Sequence, residues 1–136
     1  PKLPFRSTAK GQNKAARITA RSKLRDHISP VLRELHWLPI RQRIEYKVLC
    51  YAYKSYHHLA PPYIHELLVP YTPSRQLRSS SSLLFEIKKA NTKFTERSFS
   101  ISAPVLWNNV SFNTRNSATF DAFRKNLKTE LFNRAF

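Results

Sequence analysis

The chain contains a single glycine, Gly11, among its 136 residues, and this scarcity limits the sites that it can build. Gly-rich loops that surround a phosphate group, and the G-x-G-x-x-G turn of dinucleotide-binding domains, need several glycines close together. The sequence therefore excludes both kinds of nucleotide site. The chain also contains no methionine, so we expect it to be a segment of a longer product.

The charge of the chain is strongly unbalanced. It has 24 Lys and Arg residues against 8 Asp and Glu residues, a formal net charge of +16 and a pI of about 10.6. A globular chain this basic repels itself unless it binds a polyanion, so nucleic acid is the expected partner. An anionic membrane is the second candidate, but no run of about 18 apolar residues is present to span one. We therefore expect no membrane partner.

Length and composition predict one ordered domain. With 41% hydrophobic and 12% aromatic residues, the chain has enough apolar content to form a core. We expect a basic N-terminal arm or helix over residues 1–28 and a single domain over residues 29–136. Cys50 is the only cysteine, which excludes an internal disulfide, and no secretory signal is visible. The expected location is intracellular, nuclear or cytoplasmic, because a single cysteine fits a reducing compartment.

The N-terminal region carries its charge at helical spacing. The first 25 residues contain eight basic residues and no acidic one. Lys10, Lys14, Arg17, Arg21 and Arg25 are separated by 4, 3, 4 and 4 positions, which places them on one face of a helix. One interpretation is a helix that lies along a phosphate backbone. The alternative is a solvated helix face or a charged tail.

Hydrophobic periodicity predicts a mainly α fold: a small helical domain, with a short β-hairpin over about residues 83–101 as an optional addition. Ser29 and Pro30 are predicted to be the N-cap and the first residue of a short helix, and residues 40 to 59 are predicted to form a long helix with an apolar stripe. Ser117 is expected to cap a final helix. The predicted helices lie at about 30–35, 40–59, 63–68, 103–110 and 118–132, and the predicted strands at 83–88 and 94–101. The residues assigned to the core are Trp37, Trp107, Phe123 and Leu127, with Trp37 and Leu38 at the seam between two helices.

The sequence shows no arrangement typical of an enzyme. Its eight acidic residues are scattered, with no two adjacent, whereas a two-metal nuclease or polymerase needs clustered carboxylates. Cys50, His57, His58 and His65 are candidate zinc ligands, but they lack the close pairs of structural zinc sites. Cys50 lies among helical tyrosines, which predicts a buried, inert thiol. We expect no catalytic residue, no metal and no cofactor.

A second basic segment lies in the serine-rich stretch SRQLRSSSS. Its arginines and hydroxyls could bind phosphates, although a solvated loop or a kinase acceptor site fits the same letters. Tyr51, Tyr53 and Tyr56 could stack on unpaired bases, but helical spacing favours a core role. The predicted nucleic-acid-binding residues are Lys14, Arg17, Arg21, Arg25, Arg75 and Arg78.

Four blocks, in order, resemble one family. They are DHISPVLRELHWLPIRQRIEYKVL, LAPPYIHELLVPYTPSRQLRSSSSLL, ERSFSISAPVLWN and FRKNLKTELFNRAF. Together they are similar to the C-terminal region of LINE-like, non-LTR retrotransposon reverse transcriptases, over about residues 12–136. The resemblance implies a basic tail behind the polymerase domain that helps to hold element RNA or target DNA, RNA more than DNA. It also implies no polymerase activity in this segment, because the paired-aspartate motif is absent.

The chain departs from that family at two glycines. Family members usually carry a glycine where this chain has His58, and another where it has Thr95. A turn that needs positive φ is less stable without glycine, so a decaying copy of the element is one interpretation. The alternatives to nucleic-acid binding are a module that docks on the upstream polymerase domain, and a relic reading frame with no selected function.

Overall fold

The structure, a computed structural model, describes residues 5–73, 83–92 and 94–136. Within these ranges the chain is mainly helical, as the sequence predicts, and it has seven α-helices and one short 3-10 helix. The α-helices are α1 (Phe5–Thr19), α2 (Ile28–Glu34), α3 (Ile40–Tyr56), α4 (Pro62–His65), α5 (Phe99–Asn108), α6 (Phe112–Arg115) and α7 (Phe120–Ala135). The 3-10 helix covers Thr95–Arg97.

The chain divides into two compact units. The terminal unit consists of Pro1–Tyr46 with Lys128–Phe136, and the central unit of Lys47–Leu127. The predicted division into an arm or helix over residues 1–28 and a single domain over residues 29–136 stays a prediction.

The terminal unit is built on the packing of α1 and α2. Ala16 of α1 and Val31 and Leu32 of α2 are buried together. The half-buried Trp37 packs against this cluster, and the neighbouring Leu38 is buried. As predicted, Trp37 and Leu38 lie between α2 and α3 along the chain, and the packing seen for Trp37 is against the cluster of α1 and α2.

Three helices end in the same left-handed turn without a glycine. Arg21, His36 and His58 have φ values of 51°, 52° and 55°. In each case the next residue donates its N–H to the carbonyl five positions back, and the positive-φ residue donates to the carbonyl three positions back, which together define a Schellman motif. The longer bonds are Ser22 N to Arg17 O at 3.0 Å, Trp37 N to Leu32 O at 2.8 Å and Leu59 N to Lys54 O at 2.7 Å. Glycine is usual at this position because it has no Cβ to clash.

Two predicted helix caps are wrong. Helix α2 begins one residue before Ser29, with His27 at the N-cap position. Helix α7 begins after Thr119, whose Oγ1 accepts a hydrogen bond from Ala122 N at 3.2 Å. Ser117 instead donates its hydroxyl to Thr114 O at 2.7 Å. Ser117 and Thr119 are both residue types that cap helices, and the sequence alone does not show which of them caps α7.

The core of the central unit is aromatic. Trp107, Tyr53, Phe85 and Phe123 are fully buried, and so is Leu127; the assignment of Trp107, Phe123 and Leu127 to the core is confirmed. The Tyr53 and Phe123 rings stack with centroids 4.4 Å apart. Tyr53 Oη donates to Ser117 O at 2.9 Å, and burial raises the pKa of the Tyr53 hydroxyl. The buried phenol is therefore both packed and hydrogen-bonded.

The predicted β-hairpin is wrong. Residues 94–101 contain the 3-10 helix and the start of α5 instead of a strand. Phe85 forms an isolated antiparallel bridge with Pro70. The backbone N–H and C=O of Phe85 form hydrogen bonds with the side-chain amide of Asn108. Asn108 Oδ1 accepts from Phe85 N at 3.0 Å, and Asn108 Nδ2 donates to Phe85 O at 2.9 Å. This amide takes the place of a neighbouring strand, because it pairs with both backbone groups of Phe85.

Candidate nucleic-acid interface

An open groove of about 540 Å³ lies in the terminal unit, between α1 and the turn that follows it. We call it the α1 groove. Its lining residues are Lys10, Asn13, Lys14, Arg17, Ile18, Ser22 and Leu24. Three of them are cations and none is a carboxylate, so the groove has the electrostatic character of an anion site.

The amphipathic pattern of α1 builds one wall of the groove. Lys10, Lys14 and Arg17 are spaced by four and three positions on the helix and share one face. Ala16 is fully buried against α2 on another face, which fixes the orientation of the helix. The prediction of one basic helical face is confirmed for these three residues.

The prediction is wrong for the last two members of the series. Helix α1 ends at Thr19, so Arg21 and Arg25 do not continue its face. Arg21 occupies the positive-φ position of the Schellman motif, and the chain reverses its direction there. The basic spacing continues past the helix end, but spacing alone does not show where the backbone turns.

Arg17 ties the turn to the helix. Its Nη1 donates to Lys23 O at 2.8 Å and to Asp26 O at 2.9 Å. The Asp26 carboxylate in turn accepts from Lys23 N, with 2.7 Å between Oδ2 and N. Arg17 is therefore a structural residue as well as a predicted phosphate contact. Its Nε and Nη2 form no hydrogen bond with any residue that the structure describes.

Of the other predicted phosphate contacts, three lie among the described residues and two lie outside them. Lys14, Arg21 and Arg25 are exposed, and their side chains form no ion pair within residues 5–73, 83–92 and 94–136. Exposed and unpaired cations are accessible to a polyanion at little desolvation cost. Arg75 and Arg78 lie outside the described residues.

Four groove residues were not found from the sequence, namely Asn13, Ile18, Ser22 and Leu24. The Ser22 hydroxyl oxygen is buried and has no hydrogen-bond partner among the described residues. Ile18 is 70% exposed and Leu24 is 87% exposed. The one signal in the sequence was Leu24, an apolar residue within the basic run RSKLR. A segment that only faces solvent does not need an apolar residue.

The central unit exposes several large apolar side chains between residues 59 and 71, which we call the 59–71 segment. They are Leu59, Tyr63, Leu67, Val69 and Tyr71. Concentrated apolar exposure of this kind marks surfaces that bind another molecule. It is an observation in favour of a protein contact, and it involves none of the residues that line the α1 groove.

Two of the three tyrosines considered as base-stacking residues are committed to the core. Tyr53 is buried, and Tyr56 stacks on Trp107 with ring centroids 6.1 Å apart. Tyr51 is 52% exposed. Only an exposed ring can stack on an unpaired base, so Tyr51 alone of the three retains that option.

Two of the four candidate zinc ligands lie side by side, but the four do not form a metal-binding group among the described residues. The His58 and His65 rings stack with centroids 4.4 Å apart, while Cys50 is half-buried. Burial lowers the pKa of His57, and the neighbouring His58 adds to the effect. Across the described ranges, no three His, Cys, Asp or Glu side chains form a group that could hold a metal ion.

No helix among the described residues is long and apolar enough to cross a membrane. Comparison of the chain with known protein families, with curated proteins and with solved structures found no match.

Proposed function

We propose that this segment binds nucleic acid, mainly through the phosphate backbone. The observation that carries the proposal is the concentration of exposed cations on α1 and in the turn after it, where Asp26 is the first carboxylate of the chain. Neutralising phosphates releases condensed counterions, which is the main source of sequence-independent affinity. The exposed candidates for this role are Lys14, Arg21 and Arg25.

The family resemblance suggests the biological setting. In this proposal the chain is the C-terminal segment of a non-LTR retrotransposon reverse transcriptase. It holds element RNA, or target DNA, within an intracellular ribonucleoprotein, while the polymerase domain upstream performs the synthesis. The segment itself is not an enzyme in this proposal, since its four carboxylates in each unit are dispersed along the sequence.

A second candidate function is docking on the upstream polymerase domain. It is favoured by the apolar side chains that the 59–71 segment exposes. Affinity from such a surface comes from apolar burial and changes little with salt. The salt dependence of binding therefore separates the two functions. A relic without selected function is the third candidate, and it predicts broad, poorly cooperative unfolding.

The variant Arg21→Gln/Arg25→Gln is expected to reduce the salt dependence of binding to single-stranded RNA. For each phosphate that the protein no longer neutralises, the log–log slope should become shallower by about 0.7. Arg17 is left intact because its two backbone hydrogen bonds hold the turn. The measurement is a fluorescence anisotropy titration at several salt concentrations.

The matched control is Lys88→Gln/Lys89→Gln, which removes the same charge from two exposed residues of the central unit. We expect the control to keep a slope close to that of the wild type. Equal slopes for the wild type and Arg21→Gln/Arg25→Gln would contradict the assignment of these arginines. Equally reduced slopes in both variants would instead indicate binding by net charge alone.

A further inference from the structure

We infer that the α1 groove is a phosphodiester-binding subsite for single-stranded nucleic acid, in which Arg17 presents a fixed pair of donors and Ser22 a hydroxyl. The inference rests on the proposed function and names one contact within it. The ligand group is a backbone phosphate together with the sugar and base attached to it.

The first argument is the geometry of Arg17. Nη1, the terminal nitrogen on the Cδ side of the guanidinium, uses its hydrogens on Lys23 O and Asp26 O. The remaining edge carries Nε–H and one Nη2–H, which point in the same direction. This edge is the fork that binds two phosphate oxygens side by side.

The two backbone bonds also fix the guanidinium before a ligand arrives. A free arginine side chain loses rotamer entropy when it is immobilised on a ligand. Arg17 is already held by its bonds to the turn, and it lines the groove. A lysine at position 17 would supply the positive charge but not the two parallel N–H donors of the guanidinium.

The second argument is the Ser22 hydroxyl. Its oxygen is buried without a hydrogen-bond partner among the described residues, and Ser22 lines the same groove as Arg17. A buried hydroxyl without a partner lowers stability. A phosphate oxygen in the groove would accept its hydrogen, and the bond would be charge-assisted.

The third argument concerns the strandedness of the ligand. Ile18 and Leu24 line the groove beside the cations, and both are largely exposed. A duplex presents its phosphates outward and keeps the faces of its bases stacked inside. A single strand presents sugar and base surface next to each phosphate, which can cover these apolar side chains.

The lysines complete the electrostatic setting. Lys10 and Lys14 lie about one turn apart on the face of α1 that contains Arg17. They act as flexible point charges, whereas Arg17 supplies direction. The chemistry of the groove therefore fits a chain of phosphates that passes along α1.

The decisive variant is Ser22→Ala, because binding and stability should change in different directions. Affinity for a single-stranded RNA oligonucleotide is expected to fall about 3- to 10-fold, since the variant cannot form the charge-assisted hydrogen bond. The melting temperature, followed by circular dichroism, should stay the same or rise. A lower melting temperature with unchanged affinity would overturn the inference, because the hydroxyl would then be structural only.

Two further variants test the rest of the groove. Lys10→Gln/Lys14→Gln should weaken binding to single-stranded RNA by about 10-fold at low salt, and the control Lys88→Gln/Lys89→Gln by less than about 3-fold. Leu24→Asn should weaken binding to single strands several-fold and leave binding to duplex DNA unchanged. Equal effects of Leu24→Asn on both ligands would contradict the preference for a single strand.

The outcomes distinguish this inference from the proposed function. If the wild-type chain binds neither RNA nor DNA, both fail. If the wild type binds with a steep salt dependence and the Ser22, Lys10/Lys14 and Leu24 variants bind equally well, the groove assignment fails together with the Lys14 contact, while nucleic-acid binding through other cations stands.

Discussion

Trp107→Ala is expected to lower the free energy of unfolding by about 3–5 kcal/mol. Trp107 is 0% exposed, and its ring lies between 5.5 and 6.5 Å from the rings of four other core aromatics. Removing the indole leaves a cavity that these rings can fill only in part. It also removes the donor to Leu83 O, at 2.7 Å from Nε1.

The measurement is urea denaturation followed by circular dichroism at 222 nm. Trp107→Phe serves as the control, because it keeps an aromatic ring but lacks the indole N–H. We expect it to be less destabilised than Trp107→Ala. A decrease below about 1 kcal/mol for Trp107→Ala would contradict the assignment of this residue to the centre of the core.

Glycine at the three left-handed helix ends is expected to stabilise the chain. A residue with a Cβ in this conformation is less stable than glycine by about 1 kcal/mol. The triple variant Arg21→Gly/His36→Gly/His58→Gly should therefore be more stable by up to about 3 kcal/mol. The increase is expected in the free energy of unfolding, measured by the same urea titration.

The three positions should not contribute equally. The His36 ring contacts Phe132 with centroids 5.6 Å apart, and the His58 ring stacks on His65, so glycine removes a favourable ring interaction at both. The exposed Arg21 side chain forms no ion pair among the described residues that glycine would remove. Arg21→Gly should therefore give the largest single increase in stability, together with weaker binding to RNA.

The control for these glycines is Lys47→Gly, an exposed position inside α3. Glycine in a helix interior costs about 1 kcal/mol, so its effect should have the opposite sign. If Arg21→Gly and Lys47→Gly were destabilising to the same extent, the positive-φ conformation of Arg21 would be contradicted.

The family resemblance predicted part of this result. It pointed to His58 as a position where glycine is usual, and His58 has a φ of 55°. It also pointed to Thr95, which begins the 3-10 helix and has no positive φ. A missing glycine therefore marks a strained turn only where the local backbone needs the left-handed conformation.

Local periodicity predicted the long helices and their buried faces. The stripe that contains Phe123 and Leu127 belongs to α7, and both residues are buried. A repeat of 3.6 residues is visible in the sequence because it depends on neighbours within two turns. The hairpin failed for the opposite reason, since Phe85 pairs with the Asn108 amide, 23 residues further along the chain.

The α1 groove was predictable only in part. The sequence identifies Lys14 and Arg17 as members of a basic face, but not the groove itself. The groove depends on the end of α1 at Thr19 and on the bonds from Arg17 to Lys23 and Asp26. Those bonds bring Ser22 and Leu24 beside the helix. Helical spacing could not predict that they lie near Lys14, because both residues come after the end of α1.

The measurement that tests the central claim most directly is a salt titration of the wild-type chain on single-stranded RNA and on duplex DNA of equal length. Contacts to three or more phosphates predict a log–log slope steeper than about −2 on the single strand, with RNA bound more tightly than duplex DNA. Weak binding to both ligands, with a slope near zero, would contradict the proposal. It would direct attention to the 59–71 segment as a protein-docking surface.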